Sequence, residues 1–155
     1  MAKPERAQVK ILFRFYSDVL EQETVETIWA ETVNPVMGHY QLDSIPFYAP
    51  GIASDDIVHA EYDHDEEMLT FKELVKASGN SNIWVVITDD KTEIDEVRGI
   101  FFDLDCISEA LDTRYFAMEV KSATNYYRIR DRLNKLKAEG ILDYAEACLS
   151  VEHQY

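Results

Sequence analysis

The sequence predicts an α+β fold in two lobes. A strand-rich, small barrel-like lobe over residues 1–80 precedes a ferredoxin-like βαβαβ lobe over residues 81–155. Short segments of alternating apolar and polar residues, separated by turn residues, predict the strands of the first lobe. In the second lobe, strand-like runs alternate with stretches of helical periodicity. With 155 residues, 46% of them apolar, the chain can bury a sizeable core, and we expect the two lobes to form one compact unit.

The first lobe begins with an apolar pattern of period two, which is typical of a half-buried strand. The pattern consists of Val9, Ile11, Phe13 and Phe15. Further strands are predicted around residues 38–42, 57–62 and 68–75, because turn-rich stretches of Gly, Pro, Asn, Asp and Ser separate these segments. Several short strands separated by turn residues indicate a small barrel or curled sheet.

Residues 24–33 permit two interpretations. The apolar side chains of this segment have helical spacing at Val25, Ile28, Trp29 and Val33. However, the run from Thr24 to Ile28 is rich in β-branched residues, which favour strands. We predict a strand.

The second lobe begins with a continuous apolar run at residues 83–87, which is typical of a strand covered on both faces. Two apolar stripes with helical spacing predict two helices. The stripes consist of Ile94, Val97, Phe101 and Leu104, and of Tyr126, Ile129, Leu133 and Leu136. Strands are predicted between the helices, at residues 116–120, and after the second one, at residues 144–149.

The ends of the second helix carry recognisable signals. Thr124 or Asn125 precedes its first apolar residue and is a suitable N-cap, because a short polar side chain can accept a backbone N–H there. Gly140 follows its last turn, where the chain commonly adopts positive φ.

Acidic residues dominate the charge of the chain, with a net charge of −15. Residues 53–112 alone carry 17 acidic and 4 basic side chains. Because this charge repels phosphate, nucleic acid is an unfavourable partner. The excess is either a solvated surface or an acidic face that attracts a basic protein. The residues assigned to partner binding are Asp89, Asp90, Glu93, Asp95 and Glu96.

Motifs for catalysis are missing from the sequence. It has no Gly-x-Ser-x-Gly motif and no phosphate-binding glycine loop. Glu26 and Glu31 are five residues apart, which places them on opposite faces of a strand and prevents them from forming an acid/base pair. We therefore lean against an enzyme and expect no cofactor.

Two groups of residues have some features of metal sites. Residues 63–67 are acidic, but they lack the glycine that a calcium-binding loop needs for its sharp turn. His39, His59 and His64 lack the short spacing of zinc motifs. We expect no metal.

The second predicted helix carries cations outside its apolar stripe. They are Arg128, Arg130, Arg132, Lys135 and Lys137. A basic helix on a ferredoxin-like frame could contact RNA. However, residues 115–120 lack the basic-Gly-aromatic run of RNA-recognition strands, and a solvated helix face in which Asp131 pairs with Lys135 explains the cations more simply.

The remaining features are typical of the cytoplasm. The first six residues are polar and unlike a secretory signal. Cys106 and Cys148 lie far apart, so we expect both to be reduced. The longest compact apolar run is too short to span a membrane.

Four sequence blocks carry a resemblance to a known family. They are Glu26-Thr27-Ile28-Trp29-Ala30-Glu31, Ile45-Pro46-Phe47, Gly51-Ile52-Ala53 with Asp56 and Val58, and Ser78-Gly79-Asn80-Ser81. In this order and spacing the chain resembles the bacterial family known as domain of unknown function 4265 over residues 8–150. The family pattern continues with Thr and a basic residue, whereas Asn82, Ile83 and Trp84 follow here. The resemblance implies a bacterial source and a shared compact fold, and it implies no activity.

Two functional hypotheses follow. The leading one is a non-enzymatic acidic binding protein, comparable to an immunity protein or antitoxin, that engages a basic protein partner. The alternative is a small-molecule-binding or enzymatic domain, because ligands often bind where two lobes meet. The residues assigned to that junction site are Trp29, Glu31, Phe47 and Asn80.

Overall fold

A computed structural model of the chain describes residues 6–155. The chain divides into two compact units between Ser78 and Gly79. The described residues form nine strands in two sheets and two α-helices, so the predicted α+β class is confirmed. Within the same range, no helix has the length and apolar character needed to cross a membrane.

The first unit is a closed barrel of five strands in chain order. They are β1 (Gln8–Ser17), β2 (Gln22–Asn34), β3 (His39–Leu42), β4 (Ile57–Asp63) and β5 (Met68–Lys76). Successive strands pair antiparallel. β1 also pairs with β5 in parallel, with Ile11 opposite Leu69, and this pairing closes the barrel.

Alternating side chains of β1 and β2 fill the barrel, as strand periodicity requires. Those buried in its core are Ile11 and Phe13 of β1 and Ile28 and Ala30 of β2. The prediction of a strand over residues 24–33 is confirmed. The helical spacing of this segment is misleading, because Val25 and Trp29 are both exposed.

The second unit alternates strands and helices. Its elements are β6 (Ser81–Ile87), α1 (Ile94–Phe102), β7 (Ile107–Ala110), β8 (Tyr115–Val120), α2 (Tyr126–Ala138) and β9 (Leu142–Cys148), followed by a 3-10 turn at Val151–His153. The strands form one sheet in the order β7-β8-β6-β9, and every neighbouring pair is antiparallel.

One strand of this unit is missing from the predicted βαβαβ order. The observed order is β-α-β-β-α-β, with β7 between the helices. β7 has four residues at the edge of the sheet, and three of them are exposed. It therefore lacks the apolar alternation by which a strand is recognised in a sequence.

The apolar stripes of both helices pack with one face of β6. Val97 and Phe101 of α1 share a core with Ile83, Val85 and Leu133. On the other face of β6, Trp84 is buried but Val86 is exposed. The expected cover on both faces of this strand is therefore only partial.

Both predicted end signals of α2 are confirmed. The Asn125 side chain accepts the backbone N–H of Tyr127 at 3.0 Å, which satisfies a donor that the helix leaves unpaired. Gly140 has φ +76° and donates its N–H to the carbonyl of Lys137 at 3.0 Å. Positive φ explains why glycine is suited to this position.

Candidate partner-binding surface

Five carboxylates lie in one continuous stretch after β6, which we name the acidic segment. It comprises Asp89, Asp90, Glu93, Asp95 and Glu96, and all but the half-buried Asp89 are exposed. The Thr92 hydroxyl donates to the Asp89 carboxylate, and the Thr92 N–H donates to the Asp89 carbonyl at 3.3 Å. This turn leads into the first turn of α1. There the negative charges of Asp95 and Glu96 interact favourably with the positive end of the helix dipole.

Two arginines contact the acidic segment. Arg98 lies 3.3 Å from the Asp95 carboxylate, a contact that the i, i+3 spacing on a helix makes visible in the sequence. Arg114 lies 3.4 Å from the Asp90 carboxylate and donates to the Asp89 carbonyl at 3.3 Å, and no sequence spacing indicates this contact. These pairs are exposed, so they compensate little of the negative charge.

The outer carboxylates of the segment are less compensated still. Within residues 6–155, Glu93 and Glu96 have no ion-pair partner. With the exposed Lys91 inside the stretch and two arginines beside it, three cations stand against five carboxylates, so the acidic segment keeps a net negative charge.

Arg98 also connects α1 to the edge strand β7. Its Nε donates to the Ser108 hydroxyl and its Nη2 to the Ser108 carbonyl, each at 2.9 Å. One side chain thereby connects the middle of α1 to the edge of the sheet.

The residues predicted to form a junction site belong to both units. Trp29 and Glu31 lie on one face of β2, where Lys10 Nζ is 4.9 Å from the centre of the Trp29 ring. Phe47 lies in the loop after β3, and Asn80 lies in the second unit, where its side-chain Oδ1 accepts the N–H of Ser122 at 3.2 Å. The junction site stays a prediction.

Two of the predicted basic residues on α2 have partners within the second unit. The Arg130 guanidinium lies 3.7 Å from the centre of the Tyr155 ring. Lys137 Nζ lies 3.1 Å from the Asp143 carboxylate, and this hydrogen bond lowers the pKa of Asp143. The basic face of α2 is thus partly used in contacts of its own unit.

Two of the three histidines of the first unit lie near each other. The rings of His39 and His59, on β3 and β4, have centres 6.0 Å apart, and His64 packs against Tyr62 instead. Over the part of the chain that the structure describes, no three His, Cys, Asp or Glu side chains are arranged to hold a metal ion.

A buried serine–histidine pair joins residues that are 72 positions apart. Ser81 Oγ lies 2.6 Å from His153 Nδ1, and His153 Nε2 lies 3.0 Å from the Lys121 carbonyl. Because a carbonyl only accepts, Nε2 donates to it, and in the neutral imidazole the Ser81 hydroxyl then donates to Nδ1. Ser81 Oγ also accepts the N–H of Ser150 at 2.8 Å. Ser81 is fully buried, and through His153 and Ser150 it anchors the C-terminal segment of the chain.

Comparison with known proteins places these features in a family. The sequence pattern of the family described as domain of unknown function 4265 matches residues 26–144. The chain belongs to this family. The match includes all four blocks on which the resemblance rests, so the prediction of the family is confirmed.

A solved structure has the same fold along almost the whole chain. It is the crystal structure of a hypothetical protein from Neisseria gonorrhoeae, with a TM-score of 0.79 and 25% sequence identity. The alignment covers 97% of this chain and 99% of that chain. No protein of curated function matches the chain.

The first two blocks of domain of unknown function 4265 are joined by one carboxylate. Glu26 lies on the same face of β2 as the buried Ile28, and it accepts backbone N–H groups from the loop after β3. The donors are Phe47 at 2.8 Å, Tyr48 at 2.9 Å and Ala49 at 2.8 Å. No sequence signal indicates this role of Glu26, because the three donors are more than 20 residues away.

The last two blocks of the family are joined in the same manner. The buried Asp56 accepts the N–H of Ala53 at 2.9 Å and that of Ser78 at 2.8 Å. Burial raises the pKa of Asp56, and the two hydrogen bonds oppose this shift only in part. The blocks of the family therefore contain side chains that hold the loops of the first unit in place.

Proposed function

We propose that the protein is a non-enzymatic acidic binding protein that engages a basic protein partner through the acidic segment. Its action would be comparable to that of an immunity protein or an antitoxin, which blocks a basic partner by covering it. The exposure of four of the five carboxylates in one short stretch is the observation that carries this proposal.

The electrostatics of the acidic segment support a steering role. Clustered exposed charges of one sign attract an oppositely charged partner over a distance and raise the association rate. Arg98 and Arg114 each contact one carboxylate of the segment, and neither contacts Glu93 or Glu96. These two residues are the best targets for a test, because replacing them breaks no ion pair of the second unit.

We also infer that the second unit is ferredoxin-like. Its β-α-β-β-α-β order and its sheet order, with the first and third strands central, support this assignment. The assignment agrees with the two helices packing with one face of the sheet. The closed five-stranded sheet supports a small barrel for the first unit. We place the action of the protein in the cytoplasm, because Cys106 and Cys148 are free thiols.

The test is capture of partners from a native lysate with three versions of the full chain. The baits are the wild type, Glu93→Lys/Glu96→Lys, and the control Asp131→Lys/Glu139→Lys. The control changes the net charge equally, at an exposed position of α2 and at the exposed residue that caps its C-terminus. Capture is compared at about 0.05 M and about 0.3 M salt, where screening differs strongly.

We expect the wild type and the control to retain a basic protein at the lower salt and to release most of it at the higher salt. The Glu93→Lys/Glu96→Lys bait should retain several-fold less. Equal retention by all three baits, or an empty eluate from the wild type at both salt concentrations, would contradict the proposal.

A further inference from the structure

An open groove between α1 and β7 combines apolar side chains with an acidic rim. It has a volume of about 640 Å³ and lies within the second unit. Phe102 and Ile107 line it, although 68% of Phe102 and 55% of Ile107 remain exposed. Two large apolar side chains exposed in one groove form a small apolar patch that a single side chain of a partner is large enough to cover.

The exposure of both residues follows from their neighbours. Phe101 is fully buried in the core of the second unit, and the next residue on a helix points about 100° away from it, which turns Phe102 outward. Ile107 pairs with Glu119, next to the buried Met118 that faces the core. Alternation along the strand therefore keeps Ile107 out of that core and leaves it at the open edge of the sheet, where it lines the groove.

Arg98 limits how a partner can use this groove. Its guanidinium donates to the Ser108 carbonyl, the group that an added strand would need on the open side of β7. A strand added to β7 would have to displace this charge-assisted hydrogen bond. Insertion of a side chain into the groove requires no such displacement.

The rim of the groove determines the charge of its occupant. Asp95, Glu96 and Asp103 supply carboxylates, whereas Arg98 is the only cation among the lining residues and already contacts Asp95. An occupant with one large apolar side chain between cations therefore complements both the base and the rim of the groove.

We propose that this groove is the anchor site for a basic segment of the partner, which inserts one aromatic side chain against Phe102 and Ile107. Flanking Lys or Arg residues of that segment then face Asp95, Glu96 and Asp103. This inference rests on the proposed function and adds the chemistry of the recognised segment. Aromatic residues in such pockets commonly supply most of the affinity of an interface.

The test is a titration of the isotope-labelled full chain with the amidated pentapeptide Lys-Arg-Trp-Lys-Arg, followed by amide NMR shifts. An analogue with Ala in place of Trp is the matched probe. We expect the largest shifts at Phe102, Asp103, Ile107 and Ser108, and about tenfold tighter binding of the Trp peptide. Phe102→Ala should abolish this preference, whereas the control Leu111→Ala, at another exposed residue of the second unit, should preserve it.

The possible failures separate the two proposals. Equal affinity of both peptides, with shifts confined to residues 89–96, would overturn the groove and leave the acidic segment as a binding surface. Shifts centred on residues 63–67 would overturn the groove as well, because the peptide would then follow charge alone. If neither peptide binds at millimolar concentration, both the groove and the acidic segment fail as sites for basic partners.

Discussion

The Glu26 carboxylate accepts the backbone N–H of Phe47 at 2.8 Å, and this hydrogen bond connects the inner face of β2 to the loop after β3. Its other oxygen accepts the N–H groups of Tyr48 and Ala49. Ala49 is buried in the barrel core. One side chain thus satisfies three successive amides of a loop that contributes to the core of the first unit.

Replacing Glu26 tests this role. Glu26→Ala leaves three amides without their acceptor and should lower the free energy of unfolding by about 1–3 kcal/mol. Glu26→Gln keeps one acceptor oxygen and should cost less. Urea unfolding provides the measurement, and Glu23→Ala, at an exposed position of the same strand, provides the control. A loss no larger for Glu26→Ala than for Glu23→Ala would contradict the assigned role.

Asp56 should make stability depend on pH in a defined direction. Its pKa is raised by burial in the folded protein, so the unfolded chain releases this proton first. The stabilising contribution of Asp56 is therefore complete below a pH of about 3.8 and is lost as the pH rises through the folded pKa.

Asp56→Asn removes this pH dependence. An amide oxygen accepts only one of the two N–H groups that face the Asp56 carboxyl oxygens, and its NH2 group opposes the other, which should cost about 1–3 kcal/mol. We expect the free energy of unfolding of Asp56→Asn to approach that of the wild type as the pH rises from about 3 to about 7, as measured by unfolding curves. The exposed Asp18→Asn serves as control. A difference that widens with pH would show that the carboxylate is stabilised by its environment.

Two glycines should respond oppositely to the same substitution. A Cβ at Gly140 meets no atom within 4 Å, but φ is +76°, so Gly140→Ala should destabilise by about 1 kcal/mol through backbone strain. A Cβ at Gly99 is equally unobstructed, and Gly99 lies within α1, so Gly99→Ala should stabilise by about 0.5–1 kcal/mol. Thermal unfolding measures both. Changes of the same sign in the two variants would refute this interpretation.

The two cysteines should differ in reactivity. Burial raises the pKa of the Cys106 thiol to about 12, whereas Cys148 is partly exposed. A disulfide reagent such as Ellman's should therefore modify only Cys148 in the folded protein, because the thiolate is the reactive form. The variant Cys148→Ser should show no fast reaction until it is unfolded. Rapid modification of Cys106 in that variant would show that its core opens readily.

Elements with a strong period were predictable from the sequence, and elements defined by distant partners were not. The stripe from Tyr126 to Leu136 and the signals at Asn125 and Gly140 gave α2 correctly. In contrast, β7 depends on pairing with β8, and its exposed residues carry no periodic signal. Local propensity and patterning determine the first kind of element, and tertiary contacts determine the second.

The candidate site follows the same rule. The cluster of carboxylates at residues 89–96 can be read directly from the sequence. The contact between Arg114 and Asp90 cannot, because the fold of the sheet brings these residues together. Phe102 could have been singled out, because two adjacent phenylalanines on an amphipathic helix cannot both face the core. The exposure of Ile107 could not be predicted, because the sequence pattern does not indicate β7, the strand that exposes it.

The association rate constant of the captured basic partner, measured as a function of ionic strength, decides whether the acidic segment is the binding surface. For the wild type we expect a fall of about tenfold or more between about 0.05 M and about 0.3 M salt. Glu93→Lys/Glu96→Lys should associate more slowly at low salt, with a dissociation rate that changes much less. An association rate that is independent of salt and identical in the two proteins would contradict the acidic segment as the binding surface.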